Sequence, residues 1–185
     1  MTSTTPAEQP RGIRTRFRWL GPHLRVQSVR NLTLRKLKEL EIDALLLDVD
    51  STLKEYNESL ASPEVVAWFK GLRDAGIGLC LVSNGRARRI QVFAEDLDIP
   101  YIATAMKPLP FGVRRAVRQM GFDLSRTAMV GDQLFADVFA GRLAGMKTVL
   151  VRPISPEQEP WFTRLKRLPE RILLNWLAII EEQIE

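Results

Sequence analysis

Polar side chains that could bind a metal ion and a phosphate group follow four short apolar segments of the chain. They are Asp48 to Thr52, Ser83-Asn84, Lys107-Pro108 and Gly131 to Asp137, each at the end of a predicted strand. Because the carboxyl ends of parallel strands meet at one edge of a sheet, we expect the four clusters to lie together. Carboxylate oxygens suit Mg²⁺, while lysine and hydroxyl groups donate to phosphoryl oxygens. The spacing therefore predicts a site for Mg²⁺ and a phosphoryl group.

Taken singly, each cluster also has an ordinary structural explanation. Asp48 and Asp50 could cap a turn, Ser83-Asn84 could belong to one, and a lysine before a proline is usually exposed. An acid such as Asp132 could begin a helix and interact with its dipole. The order of the clusters, each at a strand end, favours the functional interpretation.

The segments between these clusters alternate between strand and helix patterns. Short apolar runs predict strands, and apolar residues at helical spacing predict the helices between them. The predicted strands end near Leu47, Val82, Ile102, Val130 and Val151, and the predicted helices start near Thr33, Ser62, Arg86, Pro110, Phe135 and Arg171. This alternation predicts an α/β fold: one Rossmann-like domain with a parallel sheet of about five strands flanked by helices.

Length and charge divide the chain into three parts. With 185 residues, 45% of them hydrophobic, the chain suits one compact domain. Residues 1–42 carry nine basic and three acidic side chains, and the remaining residues sum to −1, although the whole chain carries +5. We therefore expect a disordered basic arm over 1–20, the catalytic domain over 21–155, and a basic and apolar helical tail over 156–185. The tail would pack on the domain or lie at a membrane or subunit surface.

Cysteine content and hydropathy bear on the compartment. The single cysteine, Cys80, excludes an intramolecular disulfide and favours a reducing, cytoplasmic environment. No segment reaches the roughly 20 apolar residues of a membrane-spanning helix. The basic arm could bind an anionic membrane or nucleic acid, or be simply solvated. Since Glu8 is the one acid among the first 25 residues, the arm also matches the composition of a cleaved organellar transit peptide.

In these motifs the sequence resembles the haloacid dehalogenase superfamily of phosphotransferases. Asp48, Asp50 and Thr52 match its first signature, Asp-x-Asp-x-Thr, and Ser83 matches the second. Lys107 matches the third, and Gly131-Asp132 with Asp137 matches the fourth. The resemblance covers about residues 40 to 152 and implies a fold of the haloacid dehalogenase type.

The resemblance also implies a role for each matched residue. Asp48 would attack phosphorus and form an aspartyl-phosphate, and Asp50 would act as general acid and then base. Mg²⁺ would be held by Asp48, Asp132 and the backbone carbonyl of Asp50. Lys107 would be the third catalytic residue and would also bind the phosphoryl group. The other residues would bind that group or support the site: Ser83 and Asn84 for binding, and Thr52 and Asp137 for support.

Spacing between the motifs indicates the kind of substrate. Many members of this superfamily carry a cap domain between the first and second motifs or between the second and third, but neither interval here has room for one. The chain most resembles the small uncapped group that includes phosphatidylglycerophosphate phosphatases of bacteria and mitochondria. Two departures bear on the substrate, because Ser51 replaces a usual Asn and Gly85 a common second Asn.

Three hypotheses follow for the function. The first is a Mg²⁺-dependent phosphatase that removes the terminal phosphate of phosphatidylglycerophosphate, working peripherally at a membrane. The second is a soluble phosphatase for a nucleotide or sugar phosphate, with the site covered by a partner in a homo-oligomer. The third is a non-catalytic RNA-binding protein, which the crowded acids disfavour because a binding module does not need them.

Overall fold

A single parallel sheet forms the centre of the protein. The structure, a computed structural model, describes residues 20–159 and 161–177. Within these ranges the sheet has six strands in the order β1-β6-β5-β2-β3-β4. The strands are β1 (Leu24–Val26), β2 (Ala44–Leu47), β3 (Gly78–Val82), β4 (Tyr101–Ile102), β5 (Thr127–Gly131) and β6 (Lys147–Val151). The predicted α/β class is confirmed.

The predicted number of about five strands is wrong, because β1 precedes the five that the sequence indicates. Its three residues, Leu24 to Val26, are too few to show an alternating pattern. The strand exists through pairing with β6, where Leu24 lies opposite Val149 and Val26 opposite Val151. Tertiary contact thus creates an element that local pattern does not predict.

Six α-helices are found in the described part of the chain. They are α1 (Leu34–Glu39), α2 (Pro63–Asp74), α3 (Ala87–Leu97), α4 (Phe111–Met120), α5 (Phe139–Ala144) and α6 (Trp161–Leu177). The predicted caps are present, since the hydroxyl of Thr33 accepts from Lys36 N at 3.3 Å and that of Ser62 from Val65 N at 3.4 Å. Between β2 and β3 the only helix is α2, and no cap domain interrupts the described residues.

The two faces of the sheet carry separate apolar layers. Successive side chains of β2 point to opposite faces, so Leu45 and Leu47 join one layer and Leu46 the other. Helices α1, α2 and α3 contribute to the first layer, and α4 and α5 to the second. All four residues of β2 are buried, which explains the continuous apolar run in the sequence.

The order of the strands places β2 at the point where the chain changes direction. From β2 the chain proceeds outward through β3 and β4, then returns to β5 on the other side of β2 and continues to β6. Ligand sites in such sheets form at this switch point, outside the carboxyl ends of the strands. Asp48 to Thr52, which follow β2 directly, lie there.

Helix α6 begins earlier than the sequence predicts. A start beyond Pro169 is expected because proline lacks an amide hydrogen, but the helix runs from Trp161 and contains Pro169 in its interior. Ion pairs of Arg167 and a hydrogen bond of Glu170 anchor it to the domain on both sides of the proline. The predicted basic arm, all but its last residue, and the chain after Leu177 lie outside the described residues, so the predicted domain boundaries stay predictions.

None of the described helices is long and apolar enough to cross a membrane.

His23 connects the start of β1 to β6 in a way that depends on pH. Its Nδ1 accepts from Thr148 N at 2.9 Å, and its Nε2 lies 2.7 Å from Arg142 Nη1. Protonation would point N–H groups at these donors. Desolvation and the charges of Arg142 and Lys147 accordingly lower the pKa of His23 to about 4.

We expect this histidine to make folding stability fall as the pH falls from 6.5 towards 4. The unfolded chain takes up the proton near pH 6.5, before the folded one, so the contribution is complete above 6.5 and is lost on acidification. Since the ring is partly exposed, the loss should be only about 1 kcal/mol. Urea unfolding at several pH values would show it, and His23→Gln should lessen this slope. An unchanged slope in the variant would contradict the assignment.

Candidate active site

Three of the predicted residues meet in a buried ion cluster after β2. Lys107 Nζ donates to Asp48 Oδ1 and Asp137 Oδ1, both at 2.6 Å, and to the carbonyl of Val82 at 2.8 Å. All three ionic side chains are less than 10% exposed. A buried charge without a partner is costly, so the two carboxylates hold the ammonium group firmly between them.

Asp132 completes a cluster of acids suited to a metal ion. Carboxylate oxygens of Asp48, Asp132 and Asp137 all lie within 4.8 Å of one another, and all three residues are buried. Three hard oxygen donors at this separation fit Mg²⁺. Asp137, predicted only as a supporting residue, thus belongs to the acid cluster. Asp50 is also predicted among the metal residues, through its backbone carbonyl. Its side chain does not belong to the acid cluster.

Burial makes the acids of the cluster costly to ionise. Burial raises the pKa of Asp48, and the charge of Lys107 only partly offsets this. Burial likewise raises the pKa of Asp132 to about 6. For Lys107, burial lowers the pKa, but Asp137 and Asp48 raise it further, so the lysine stays protonated. A divalent cation among these carboxylates would stabilise their charged forms.

Asp137 reaches the cluster from a widened helical turn. The sequence predicts one α-helix from Phe135 to Ala144, but Leu134–Val138 form a π-helical turn that leads into α5. Such turns occur frequently at functional sites. The backbone N–H of Gln133 donates to Asp137 Oδ2 at 3.0 Å and holds the carboxylate in place.

Gly131 leaves room for the Asp137 carboxylate. A Cβ at this position would lie 2.2 Å from the carboxyl carbon of Asp137, well inside van der Waals contact. We expect Gly131→Ala to displace Asp137 and lower the free energy of unfolding by about 1–3 kcal/mol. The control is Gly71→Ala in α2, where nothing lies within 4 Å and alanine should stabilise the helix. Equal stabilities of the two variants by thermal unfolding would contradict this assignment.

Ser83 and Asn84, both predicted to bind phosphate, follow β3. The Ser83 hydroxyl is buried and accepts from Gly85 N at 3.0 Å. The Asn84 side chain exchanges two hydrogen bonds of 2.8 Å with the backbone N–H and carbonyl of Lys107. Asn84 thereby positions the segment that carries the lysine, and phosphate binding by its side chain stays a prediction.

Asp50 is held outside the acid cluster by two basic residues. Its Oδ1 accepts from Lys54 Nζ at 3.0 Å and from Arg89 Nη2 at 2.8 Å. Lys54 also donates to the carbonyls of Glu55 and Glu58, at 3.2 and 2.7 Å, so the loop after β2 folds around it. Asp50 remains on the wall of the pocket, where a general acid would be needed.

Asp132 is held by two residues that are far apart in the chain, Thr52 and Arg167. The Thr52 hydroxyl donates to Asp132 Oδ1 at 2.9 Å, and its supporting role stays a prediction. Arg167 of α6 donates through Nη1 to the Asp132 carbonyl at 2.6 Å and through Nη2 to its carboxylate. Arg167 also forms ion pairs with Glu159 and Glu170. Burial raises the pKa of Glu170 to about 7.

Five residues contact the site residues, directly or through Arg167, but are not predicted from the sequence: Lys54, Arg89, Glu159, Arg167 and Glu170. Arg89 and Arg167 stand in basic segments, which are more often solvated surfaces, and the motifs do not include them. A sequence signal for a further basic residue such as Arg167 is the charge of the motifs, which contain four acids but only one lysine, Lys107.

Most of the predicted residues line one pocket of about 180 Å³. Asp48, Asp50, Ser83, Asn84, Lys107 and Asp137 are on its wall, together with Glu159 and Thr163. Thr52 and Asp132 are buried and do not line this pocket. The pocket is large enough for a phosphate group but lies below the usual volume of a site that encloses a whole ligand.

Comparisons with known proteins agree with this geometry. The family model described as "haloacid dehalogenase-like hydrolase" matches residues 6–145. The chain is 36% identical to the probable phosphatase YqeG of Bacillus subtilis over 152 residues, which cover 82% of this chain and 88% of that protein. It is 26% identical to the chloroplastic phosphatidylglycerophosphate phosphatase 1 of Chlamydomonas reinhardtii, covering 85% of this chain and 62% of that protein.

A solved structure shows the same fold. The cobalt-bound deoxy-D-mannose-octulosonate 8-phosphate phosphatase YrbI of Haemophilus influenzae is similar with a TM-score of 0.51 at 17% identity. The match covers 76% of this chain and 92% of that one. With the family match over most of its length and its motif residues gathered at the sheet edge, this chain belongs to the haloacid dehalogenase-like hydrolases.

Proposed function

We propose that the protein is a Mg²⁺-dependent phosphomonoesterase that removes the terminal phosphate of phosphatidylglycerophosphate at a membrane surface. The observation that carries the reaction type is the meeting of Asp48, Lys107, Asp132 and Asp137 at the switch point of the sheet. The lipid substrate is supported by the similarity to phosphatidylglycerophosphate phosphatases of algae and plants.

In this mechanism the reaction proceeds in two steps. A carboxylate oxygen of Asp48 attacks phosphorus, the bond from phosphorus to the leaving oxygen breaks, and Asp50 donates a proton to that oxygen. Asp50 then takes a proton from water, whose oxygen attacks the aspartyl-phosphate and releases inorganic phosphate and free Asp48. Lys107 and Ser83 would stabilise negative charge on the equatorial oxygens.

The acid cluster would hold the metal ion. Asp48 and Asp132 are the proposed side-chain ligands, and Asp137 borders the same space. Bound Mg²⁺ would offset the repulsion between the Asp48 carboxylate and the phosphate dianion.

Helix α6 supports association with a membrane surface. Its apolar residues Trp161, Leu165, Leu168 and Ile172 recur at helical spacing and are 61–75% exposed. The exposed Arg164 and Arg171 belong to the same helix. An apolar stripe with basic neighbours is typical of helices that lie in an anionic lipid interface.

Removing part of this stripe should weaken binding to lipid. We expect Leu165→Gln combined with Leu168→Gln to reduce flotation with vesicles of phosphatidylglycerol and phosphatidylcholine by at least fivefold. The matched control is Leu34→Gln with Val92→Gln, which removes exposed apolar side chains from α1 and α3. An equal loss of flotation in the two pairs of substitutions would rule out the membrane role. So would self-association of the protein through the stripe without binding to vesicles.

The substrate is tested by measuring inorganic phosphate release with Mg²⁺. Phosphatidylglycerophosphate in mixed micelles is compared with soluble nucleotide and sugar phosphates. A preference for the lipid of at least tenfold in kcat/KM would support the proposal. If only soluble esters were hydrolysed, the proposed reaction type would stand and the proposed lipid substrate would be wrong.

A further inference from the structure

A second, larger cavity adjoins the catalytic pocket on the far side of Asp132. It has a volume of about 660 Å³ and lies between α6, the strands β1 and β6, and the loop that follows β6. This volume is within the usual range for small-molecule sites, whereas the catalytic pocket of about 180 Å³ is not. A substrate larger than a phosphate group needs space of this kind.

The two spaces share a wall. Arg167 lines the cavity, Glu159 lines the catalytic pocket, and the two side chains form an ion pair. Asp132 lines the cavity with Arg167, while its neighbour Gln133 lines the pocket. A ligand in the cavity would therefore lie next to the proposed metal site.

Arginines give the cavity a positive charge. Its charged lining comprises four arginines and two acids: Arg25, Arg152, Arg167, Arg171, Asp132 and Glu170. Arg167 is already engaged by three acids, because it forms ion pairs with Asp132, Glu159 and Glu170, and Glu170 also accepts from Phe135 N at 2.8 Å. The positive charge that a ligand meets therefore comes from arginines such as Arg152 and Arg171. Arg152 donates to the neutral side chain of Gln27 at 3.3 Å, and Arg171 is exposed. The cavity thus favours an anion, and guanidinium groups match phosphate oxygens well.

The base of the cavity is apolar. Val26 and Val151 from the paired strands β1 and β6, with Leu150 and Leu174, line it and are less than 10% exposed. A free phosphate ion gains nothing from such a surface, whereas the glycerol and first acyl carbons of a lipid would bury apolar area against it. Charge and apolar lining together indicate a phosphodiester joined to an apolar group.

We propose that this cavity, which we call the arginine cavity, binds the phosphodiester of an anionic glycerophospholipid. It would hold the body of the lipid beside the pocket in which the terminal phosphate reacts. The proposal rests on the proposed function, because it names the region that recognises that substrate.

Binding is best measured without catalysis. The full chain carrying Asp48→Asn is titrated in a chelator, by calorimetry, with dihexanoyl phosphatidylglycerol below its micellar concentration. We expect saturable binding that weakens at least tenfold in Arg152→Gln with Arg171→Gln. The control is Arg115→Gln with Arg118→Gln, which removes two exposed charges from α4 near β3 and β4, at the other end of the sheet. Arg171→Gln alone, on an exposed position, serves if the pair fails to fold, and should weaken binding at least threefold.

Other ligands separate the sources of the signal. Equal affinity for inorganic phosphate would identify a free-phosphate site, and equal affinity for dihexanoyl phosphatidylcholine would identify a merely apolar one; either result overturns the proposal. So does an equal loss in the control variant. The proposed reaction and the arginine cavity can be contradicted separately. Lipid binding without phosphate release by the wild-type chain would contradict the proposed reaction but not the arginine cavity.

Discussion

Replacing Asp48 with asparagine is expected to lower the rate of phosphate release by on the order of 10⁴-fold or more. The amide cannot form the aspartyl-phosphate, so both steps of the proposed reaction are lost. Intact-mass measurement after brief reaction and acid quench should show an added phosphoryl group in the wild-type chain and none in the variant.

The control for this substitution is Asp74→Asn, at an exposed acid of α2 that pairs with Lys70. It should retain at least half of the wild-type rate, because exposed ion pairs contribute little. If Asp48→Asn kept more than a hundredth of the wild-type rate, another residue would have to be the nucleophile.

Replacing Lys107 with methionine should have two large effects. We expect phosphate release to fall on the order of 10³-fold, because a donor to the transferring phosphoryl group is lost. Folding should also weaken by about 3–5 kcal/mol, because Asp48 and Asp137 lose their buried counter-ion at 2.6 Å. Urea unfolding with and without Mg²⁺ would separate the effects, since a cation bound among the carboxylates should restore part of the stability.

The matched variant is Lys70→Met in α2, whose ammonium group forms an exposed ion pair with Asp74. Its stability should stay within about 0.5 kcal/mol of the wild type. If Lys107→Met lowered the free energy of unfolding by no more than this, the ion cluster would not stabilise the fold. If Mg²⁺ lowered the stability of Lys107→Met further, that result would argue against a metal site at these acids.

Much of the fold follows from local pattern. The apolar runs at Leu45 and Cys80 predict buried strands, and the hydroxyls of Thr33 and Ser62 predict helix starts, because both signals depend on residues within one element. The strand ends then predict which polar side chains meet, as Asp48 and Lys107 do. Chain connectivity is sufficient for this step, since parallel strands bring their carboxyl ends to one edge.

Other features depend on contacts between distant parts of the chain. The strand at Leu24 exists by pairing with Val149, and the helix continues through Pro169 because Arg167 and Glu170 bind the domain around Asp132 and Phe135. Their local sequence favours neither outcome. The free energy that selects them comes from partners more than 30 residues away in the chain.

The sequence by itself determined the α/β class, the uncapped spacing and the identity of the acids, hydroxyl and lysine at the strand ends, because these are properties of local periodicity and order. Only the tertiary structure decided that Asp137 joins the acid cluster, that Lys54 and Arg89 hold Asp50, and that Arg167 forms the wall between pocket and arginine cavity. Buried charges must find counter-charges, but which basic residue reaches which acid is set by packing in three dimensions.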